Sequence, residues 1–487
     1  MSEICLCLSA NSVQGMTQQF TRCSGQIGMV EIRVDALKEI DRSALEALVK
    51  LVQGRGKSII WTVRHQDEQG SFQGHEDERL SLLEWGDQLK VNFVDIEFKS
   101  RCAQEIQLRH AKKILSYHDF TSLPEDPSSI INEMREAGAD VAKVAFNVVS
   151  TAECERVVAL YKKFEGFPLV AIAMGEYGML SRLFPAKLGM PWTYAAADEE
   201  GTAPGQFEVE ELQTLYRFHK IGPNTRLFAV IGNPVGHSLS PQIHNLHYIE
   251  EGIDACYGKI RVDDMDALYK LAENLGIEGI SVTVPHKEDL RRWMDEEHDL
   301  FSIGSANTLI RKNDRWQVRN TDIEAAISSI ELLLDPSITN PKVLLLGSGG
   351  VSRSLAHGMK NKGWNITITN RTTSKAEDLS KEVQSDWIHW EDRSAHGFDV
   401  VVNGTSLGMT PNEDVSPLEF EGSHLGLIAF DTVYTPEYTL FLRSAKTAGA
   451  QIVTGREMFF RQAALQHAHW FDGAPPWESM ENILRDL

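Results

Sequence analysis

Two lysines in this 487-residue chain have sequence neighbours that would suit a catalytic role. Lys143 lies in the apolar run Val141-Ala142-Lys143-Val144-Ala145, and Lys287 ends the segment Thr283-Val284-Pro285-His286-Lys287. An ammonium among apolar neighbours is costly to desolvate, so we expect the pKa of Lys143 to fall and a neutral amine to become available. A neutral amine attacks ketones and aldehydes. From the residue alone, a salt-bridged lysine fits as well.

His118 and Glu97 are the expected companions of Lys143. His118, in Ser116-Tyr117-His118-Asp119, ends the strand-like run before that of Lys143, and Glu97 ends the run before His118. Adjacent parallel strands would bring the imidazole beside the amine. Glu97 would then fix the tautomer of His118 through a hydrogen bond.

In the first half of the chain, short apolar runs alternate with helix-like stretches, and these elements must position the residues named above. The runs are Ile4–Leu8, Met29–Val34, Ser58–Val63, Phe93–Phe98, Lys113–Ser116, Val141–Phe146, Leu169–Ala173 and Thr193–Ala197. Eight such units in about 200 residues predict an α/β fold with a closed (β/α)₈ barrel, although an open doubly wound sheet gives a similar rhythm. Titratable residues lie within or just beyond the C-terminal ends of five runs, where the active site of a barrel gathers its groups. They are Glu31, Arg33, Arg64, Glu97, His118 and Lys143.

A boundary follows at Ile221-Gly222-Pro223-Asn224, and a new strand-like run begins at Leu227. We predict a barrel over 1–221, two further parts over 225–325 and 326–455, and a C-terminal segment over 456–487. In the third part, the run Lys342–Leu346 leads into a glycine turn and a helix-like stretch. A strand, a glycine turn and a helix form the context of a dinucleotide fingerprint in a Rossmann fold.

The glycine turn also indicates which nucleotide binds. Gly347, Gly349 and Gly350 would let the backbone approach a pyrophosphate at the helix N-terminus. The next run, Asn365–Thr369, ends in Asn370-Arg371-Thr372, where an NAD enzyme more often has an acidic residue. A guanidinium there suits the 2′-phosphate of NADP, although a solvated surface arginine is an alternative.

Hydroxyl and carboxylate groups mark a further site in the second half. Ser238 and Ser240 could grip one carboxylate just before a helix that begins with proline. Asp322, in Asn320-Thr321-Asp322, could pair with Lys287. On the residues alone, this pair is as readily a surface ion pair as a proton-transferring dyad.

Charge and cysteine usage exclude some classes of function. The net charge of −21, from 69 acidic and 48 basic residues, argues against nucleic acid or an anionic membrane surface as a partner. The six cysteines show no CxxC spacing, so we expect reduced thiols and no metal site. No targeting or membrane-spanning run is visible, so we expect a cytoplasmic protein.

The first half resembles type I 3-dehydroquinate dehydratase over about residues 1–220. The ordered motifs are Glu-Ile-Arg-Val-Asp (31–35), Thr-Val-Arg (62–64), Asp-Ile-Glu (95–97), Ser-Tyr-His-Asp-Phe (116–120), Ala-Lys-Val-Ala (142–145), Met174-Gly175 with Ser181-Arg182, and Ala-Pro-Gly-Gln (203–206). The resemblance implies an imine on Lys143 and acid–base catalysis by His118. It implies that Arg182 clamps a carboxylate. It further implies a set of residues that hold the ring hydroxyls and shape the pocket: Glu31, Arg33, Arg64, Gln206, and Thr202 where the family often has Ser.

The second half resembles shikimate dehydrogenase over about residues 225–487. The ordered motifs are Gly-Asn-Pro-Val-Gly-His-Ser-Leu-Ser-Pro (232–241), Val-Thr-Val-Pro-His-Lys (282–287), Ala-Asn-Thr-Leu (306–309), Asn-Thr-Asp (320–322), Asn-Gly-Thr-Ser-Leu-Gly-Met (403–409), Asp-Thr-Val-Tyr-Thr-Pro (431–436), and Gly455 with Met458 and Gln462. The family usually has Gly where this chain has Ile323, and Ala where it has Ser348.

This second resemblance implies that Lys287 and Asp322 manage the proton during hydride transfer. It implies substrate contacts by Ser238, Ser240, Thr283, Asn307, Tyr434 and Gln462. It implies NADP(H) contacts by Gly347, Gly349, Gly350, Val351, Asn370, Arg371, Thr372, Thr405 and Gly455.

Together the resemblances imply two consecutive reactions on small molecules, from 3-dehydroquinate to 3-dehydroshikimate and then, with NADPH, to shikimate. Alternatives are a Schiff-base aldolase barrel fused to a quinate or shikimate dehydrogenase, and a non-catalytic metabolite sensor. Lys143, His118, Lys287 and Asp322 are all intact, which argues against a sensor.

Overall fold

The computed structural model describes residues 2–197, 205–294, 300 and 303–487. The chain divides into two compact units, Met1–Glu278 and Gly279–Leu487. No helix among the described residues has the length and apolar character needed to cross a membrane.

The first unit begins with eight parallel strands whose residues are almost all buried, as expected for strands covered on both faces. Consecutive strands from the first to the seventh pair with each other, and the first also pairs with the eighth. The predicted (β/α)₈ barrel is therefore confirmed. The strands are β1 (Glu3–Leu8), β2 (Met29–Arg33), β3 (Ser58–Thr62), β4 (Phe93–Glu97), β5 (Lys112–Asp119), β6 (Val141–Asn147), β7 (Leu169–Met174) and β8 (Trp192–Ala195).

Helices follow the strands around this sheet. Several begin at side chains that cap the exposed backbone N–H groups of the first turn, among them Ser12, Asp41 and Ser150. The helices are α1 (Val13–Cys23), α2 (Arg42–Gly54), α3 (Glu76–Gln88), α4 (Arg101–Glu105), α5 (Pro127–Glu136), α6 (Thr151–Lys163), α7 (Met179–Leu183), α8 (Pro185–Leu188) and α9 (Val209–Thr214).

A βαβα segment completes the first unit. It consists of β9 (Arg226–Gly232), α10 (Ser240–Glu250), β10 (Ala255–Arg261) and α11 (Met265–Leu275). Strands β9 and β10 are parallel, with Arg226 opposite Ala255 and Gly232 opposite Arg261. Pro241 occupies the first turn of α10, where its missing N–H costs nothing.

The second unit opens with an antiparallel arrangement. Strand β11 (Ile277–Val282) begins at the end of the first unit and continues into the second. There it pairs with β12 (Thr308–Lys312), and β12 pairs in turn with β13 (Arg315–Arg319). Helix α12 (Thr321–Glu331) follows. Its N-terminus is capped by the side chain of Asn320, which accepts a hydrogen bond from the backbone N–H of Ile323.

A six-stranded parallel sheet forms the rest of the second unit. Its strands are β14 (Lys342–Leu346), β15 (Asn365–Thr369), β16 (Asp386–Trp387), β17 (Val400–Asn403), β18 (Ile428–Asp431) and β19 (Gln451–Val453). The order β16-β15-β14-β17-β18-β19 is that of a Rossmann sheet, so the predicted Rossmann lobe is confirmed. Apolar clusters cover both faces of the sheet. The helices are α13 (Gly350–Asn361), α14 (Thr373–Val383), α15 (Leu440–Thr447), α16 (Gly455–Phe471) and α17 (Trp477–Asp486).

Candidate active sites

A polar pocket lies at the carboxyl ends of the barrel strands. Its volume is about 560 Å³, including the open mouth. It brings together most of the residues that the sequence predicts for the first site, although Glu97 is outside its lining. The lining consists of Cys7, Glu31, Arg33, Arg64, Glu68, Gln69, His118, Phe120, Lys143, Ala145, Ile172, Met174, Arg182, Tyr194 and Gln206. Thr202 lies outside the described residues.

Lys143 is a buried, charge-paired lysine. Its Nζ donates a hydrogen bond to Asp95 Oδ2 at 2.8 Å, approaches Glu31 Oε1 at 3.5 Å, and lies 4.2 Å from the centre of the Tyr194 ring. Burial lowers the pKa of Lys143, but the carboxylates of Asp95 and Glu31 outweigh burial and raise that pKa above its usual value. The prediction of a lowered pKa is therefore wrong for the substrate-free site. The apolar neighbours of Lys143 in sequence do not indicate the two carboxylates, Asp95 and Glu31, that the fold brings beside its ammonium.

Asp95 is a central residue that the sequence prediction missed. Its carboxylate accepts hydrogen bonds from Lys143, from Arg64 Nη2 at 2.8 Å and from Ser116 Oγ at 2.6 Å. Although burial opposes ionisation, these cations hold the pKa of Asp95 far below its usual value. The alternation of side chains along β4 was a usable signal, because it puts Asp95 on the same face as Glu97.

His118 is oriented by Glu68, not by Glu97. Its Nδ1 lies 2.8 Å from Glu68 Oε2, which also accepts the backbone N–H of His118 at 3.2 Å. Glu97 instead accepts hydrogen bonds from Arg79 Nη1 at 2.6 Å and from the backbone N–H of His65 at 2.7 Å. The predicted contact between Glu97 and His118 is therefore wrong. Arg79 and the start of the loop after β3 already occupy the carboxylate of Glu97.

The protonation of the His118–Glu68 pair follows from its surroundings. Burial and the nearby cations Arg64 and Lys143 lower the pKa of His118 well below its usual value, so its ring is neutral near pH 7. Burial raises the pKa of Glu68 to about 7. A neutral imidazole at the pocket wall can act as a general base.

Three guanidinium groups line the same pocket. Arg33 forms a two-pronged ion pair with Asp35, with distances of 3.0 Å from Nε and 2.8 Å from Nη2. Arg64 is held by Asp95. Arg182, in α7, is only 2% exposed, and burial lowers its pKa to about 10. A buried guanidinium gains most from an anionic ligand, because such a ligand offsets the cost of desolvation.

Ser238 and Ser240 lie together at the start of α10. Ser238 Oγ donates to Ser240 Oγ at 3.1 Å and accepts the backbone N–H of Ser240 at 3.3 Å. The two hydroxyls therefore lie next to each other. Neighbouring hydroxyls of this kind can both donate hydrogen bonds to one carboxylate.

In the second unit, Lys287 and Asp322 form a close ion pair. Lys287 Nζ donates to Asp322 Oδ2 at 2.6 Å, and the two side chains are 27% and 13% exposed. Lys287 follows the end of β11 after four residues, and Asp322 lies in the first turn of α12. The pair is partly exposed, so a ligand can reach it.

A polar network lies beside the start of α12. Asn307 Nδ2 donates to Thr321 Oγ1 at 3.0 Å and approaches Gln462 Oε1 at 3.5 Å, while its Oδ1 accepts the backbone N–H of Thr321 at 2.8 Å. Thr283 is half-buried, and Tyr434 is 41% exposed and stacked on Phe459.

The glycine turn after β14 fits a nucleotide in two ways. Gly347 has φ +104°, and a Cβ on it would lie 2.9 Å from Thr405 Cγ2, so only glycine is tolerated here. A Cβ on Gly349 would meet no atom within 4 Å, which leaves the backbone N–H groups at the start of α13 open to a ligand. Val351 is half-buried in the first turn of α13.

The remaining predicted nucleotide contacts lie at neighbouring strand ends. Asn370 follows β15 and donates to the carbonyl of Thr372, and Arg371 and Thr372 are exposed. Thr405 Oγ1 donates to Asn403 Oδ1 at 2.7 Å in the loop after β17. At Gly455 a Cβ would lie 2.3 Å from the carbonyl oxygen of Val433, so glycine allows α16 to start close to that backbone.

Ile323, which stands where glycine is usual, has a complementary partner. A Cβ added to Gly358 of α13 would lie 2.2 Å from Ile323 Cγ2. The larger residue on α12 thus fills the space above a glycine on α13. The start of α12 itself is capped in the ordinary way by Asn320. Among the residues that the structure describes, no group of three His, Cys, Asp or Glu side chains could hold a metal ion.

Comparisons with known proteins find matching families for both halves of the chain. Three family models match: type I 3-dehydroquinase over residues 4–223, the shikimate dehydrogenase substrate-binding domain over 230–309, and shikimate/quinate 5-dehydrogenase over 330–410.

Individual relatives cover the whole chain or its second half. A bifunctional 3-dehydroquinate dehydratase/shikimate dehydrogenase of Arabidopsis thaliana, described as chloroplastic, is 32% identical over 97% of this chain and 82% of its own length. An NADP(+) shikimate dehydrogenase of Shouchella clausii is 32% identical over 54% of this chain and 98% of its own. A crystal structure of a shikimate dehydrogenase in complex with NADP+ is 30% identical, with a TM-score of 0.50, and covers 54% of this chain and 95% of its own.

Proposed function

Since this chain belongs to the family of bifunctional 3-dehydroquinate dehydratase/shikimate dehydrogenases, we propose that its barrel pocket carries the dehydratase and that its Lys287–Asp322 pair serves the dehydrogenase. The chain is thus a lyase and an NADP-dependent oxidoreductase. Its substrates are small molecules: 3-dehydroquinate, 3-dehydroshikimate and shikimate.

In the dehydratase, Lys143 is the covalent nucleophile. Its amine attacks the ring ketone, and loss of water gives a protonated imine that draws electrons from the adjacent carbon. The ammonium of Lys143 must first lose its proton, and the neutral ring of His118 is the candidate acceptor. His118 returns this proton to the hydroxyl of the carbinolamine, which leaves as water, so its ring is neutral again once the imine has formed.

His118 then moves the proton that the elimination requires. It removes a proton from the carbon next to the imine and returns one to the hydroxyl that leaves as water. Glu68, when ionised, accepts the Nδ1–H of His118 and so leaves Nε2 as the base. Hydrolysis of the imine releases 3-dehydroshikimate and restores Lys143.

Other residues of the pocket orient the substrate. Arg182 clamps the carboxylate, because a buried guanidinium forms two parallel charge-assisted hydrogen bonds with such a group. Glu31, Arg33, Arg64 and Gln206 hold the ring hydroxyls, and Thr202 joins them. Asp95 keeps Lys143 and Arg64 in position rather than touching the ring.

In the dehydrogenase, Lys287 donates a proton to the carbonyl oxygen of 3-dehydroshikimate as that oxygen gains negative charge. Asp322 holds the ammonium through its 2.6 Å hydrogen bond. Ser238 and Ser240 bind the carboxylate. Four further residues bind the ring and its hydroxyls: Thr283, Asn307, Tyr434 and Gln462.

NADP(H), when bound, supplies the hydride. Gly347, Gly349, Gly350, Val351, Thr405 and Gly455 would shape the cradle for the pyrophosphate and nicotinamide portions. Asn370, Arg371 and Thr372 would bind the ribose 2′-phosphate. The exposed guanidinium of Arg371 is the group that favours NADP over NAD.

The observation that carries the proposal is the barrel pocket, which joins a charge-paired lysine, a neutral histidine and a buried arginine. The test is to supply purified protein with 3-dehydroquinate and to measure formation of 3-dehydroshikimate by its absorbance, in the wild type and in Lys143→Ala. Wild-type activity that is lost in the variant is expected. Unchanged activity in the variant would overturn the assignment.

The predicted domain limits remain proposals: a dehydratase over 1–221, a substrate lobe over 225–325, an NADP lobe over 326–455 and a C-terminal helix over 456–487. The spans of the three family models support the first three. A cytoplasmic location is likewise a proposal, and cell fractionation tests it.

A further inference from the structure

The short helix that carries Arg182 is bound on two sides. On one side, Ser181 Oγ accepts the backbone N–H of Ala173 at 3.1 Å and donates to the carbonyl of Gly178 at 2.8 Å, which ties α7 to β7. On the other side, α7 contacts β10, a strand that lies outside the barrel in the segment that matches shikimate dehydrogenase. Both elements belong to the first unit.

Gly258 of β10 lies against side chains of α7 and of Phe184, the residue that follows it. A Cβ on this glycine would lie 3.2 Å from Leu180 Cδ2, 3.2 Å from Phe184 Cζ and 3.4 Å from Leu183 Cδ2. These three side chains are at most 1% exposed. The side chains on either side of Arg182 therefore pack directly on the backbone of β10, and a larger residue at 258 would push them away.

A second contact lies just before α7. Arg261, at the end of β10, forms an ion pair with Glu176, and its guanidinium lies 5.0 Å from the centre of the Tyr177 ring. Its Nε also donates to Asn233 Oδ1 at 2.9 Å, and Asn233 belongs to the loop that leads to Ser238 and Ser240. One arginine thus joins the segment before Arg182 to the segment before the serine pair.

A third contact involves α6, the barrel helix that follows the strand of Lys143. Asp263 Oδ1 accepts the backbone N–H of Thr151 at 2.9 Å and its Oγ1–H at 2.7 Å, at the first residue of α6. Farther along the helix, Asn274 Nδ2 donates to Glu155 Oε1 at 3.0 Å. The segment after the barrel therefore contacts two barrel helices, and α7 is one of them.

We propose that Gly258 and Arg261 are positioning residues for the dehydratase, which hold α7 so that Arg182 faces the substrate carboxylate. The inference rests on the proposed role of Arg182. It means that a part of the dehydrogenase sequence sets the affinity of the dehydratase for 3-dehydroquinate. A shift of about 1 Å in a positioning group can cost about 100-fold in rate, so modest repacking at Gly258 has a measurable effect.

The first test uses Gly258→Leu in the full-length chain. The KM for 3-dehydroquinate should rise by ~10-fold or more, with a smaller change in kcat, because carboxylate binding is weakened while the chemistry of Lys143 and His118 is kept. Oxidation of shikimate with NADP+ should change less than dehydration does, because the added side chain faces Leu180, Leu183 and Phe184 and not the Lys287–Asp322 pair. The matched control is Arg226→Ala, which breaks the ion pair of Arg226 with Glu278 and does not touch α7.

A charge swap tests the second contact, between Arg261 and Glu176. It also keeps the inference testable if Gly258→Leu fails to fold. Glu176→Arg and Arg261→Glu should each raise the KM for 3-dehydroquinate by ~2- to 5-fold, since an exposed ion pair contributes little and each variant also brings like charges together. The double variant should recover most of the loss. Additive losses in the double variant would overturn the pairing.

Arg182→Ala separates failure of the inference from failure of the proposed function. If Arg182→Ala leaves the KM for 3-dehydroquinate unchanged, the carboxylate clamp is wrong and the inference falls with it. If Arg182→Ala raises KM while Gly258→Leu and the charge-swap variants do not, the inference alone is overturned.

Discussion

His118 Nδ1 lies 2.8 Å from Glu68 Oε2, and when Glu68 is ionised this contact selects the tautomer that leaves Nε2 of His118 free to accept a proton. Glu68 comes from the loop after β3, whereas His118 lies in β5. In the proposed mechanism, the pair gives the dehydratase a base, His118, whose function depends on the ionisation of Glu68.

The first prediction concerns pH. Burial raises the pKa of Glu68 to about 7, so Glu68 is protonated below this pH and ionised above it. A protonated Glu68 would donate to Nδ1 and leave the proton of His118 on Nε2, where it blocks the base. The kcat/KM of the dehydratase should therefore rise as pH increases through about 7. Glu68→Gln should lower kcat/KM by ~10-fold or more and abolish this rise of kcat/KM with pH.

Glu97→Gln is the matched control for Glu68→Gln. Since Glu97 contacts Arg79 and the His65 backbone, this variant should keep the rise of kcat/KM near pH 7. Loss of the rise in Glu97→Gln, with retention in Glu68→Gln, would restore the assignment that the sequence predicted.

The second prediction concerns the imine. Borohydride added with 3-dehydroquinate should attach the reduced substrate to Lys143, as mass spectrometry of the digested protein would detect. His118→Ala should slow dehydration by ~10²–10⁴ yet still give the adduct, although more slowly, because the nucleophile is intact and solvent can accept the proton of its ammonium. An adduct on another lysine would contradict the assignment of Lys143.

The third prediction concerns cofactor choice. Arg371→Asp should raise the KM for NADPH by ~10- to 100-fold and leave the KM for NADH nearly unchanged, since a charged hydrogen bond to the 2′-phosphate contributes about 1.5–3 kcal/mol. Lys360→Ala is the control, because Lys360 is an exposed cation at the far end of α13 that donates to the carbonyl of Gln384. An equal loss with NADPH and NADH would show that Arg371 does not read the 2′-phosphate.

The fourth prediction concerns the packing of Ile323 against Gly358. Gly358→Ala should destabilise the fold by about 1–3 kcal/mol, because the new methyl group would overlap Ile323 Cγ2. Ile323→Ala should also destabilise it, because it removes apolar contacts. The double variant should be more stable than the sum of the two losses implies, and thermal unfolding of all four proteins measures this coupling. Strict additivity would show that the two residues do not share one space.

Much of this architecture could be predicted from the sequence. The barrel strands are short apolar runs at regular intervals, and the strand-glycine-helix order around Gly347 is a local pattern, so both predictions are confirmed. The grouping of Glu31, Arg64, His118 and Lys143 followed from the rule that parallel strands end on one side of a barrel.

The errors concern contacts that depend on distant parts of the chain. The pKa of Lys143 is set by Asp95 and Glu31, which are 48 and 112 residues away in sequence. Glu68 was missed because it ends a single 3₁₀ turn (Gln66–Glu68), which is too short for strand alternation or helix periodicity to indicate the direction of its side chain. Glu97 was placed correctly at a strand end, but its partners Arg79 and His65 could not be known before the fold.

A coupled assay tests the central claim, that this chain carries two separate active sites on consecutive intermediates. Wild-type protein given 3-dehydroquinate and NADPH should oxidise the cofactor. Lys143→Ala should fail with 3-dehydroquinate yet retain normal oxidation of NADPH with 3-dehydroshikimate. Lys287→Ala should fail with both substrates while still producing 3-dehydroshikimate from 3-dehydroquinate. Loss of both activities in either folded variant, or unchanged NADPH oxidation by Lys143→Ala with 3-dehydroquinate, would contradict the claim.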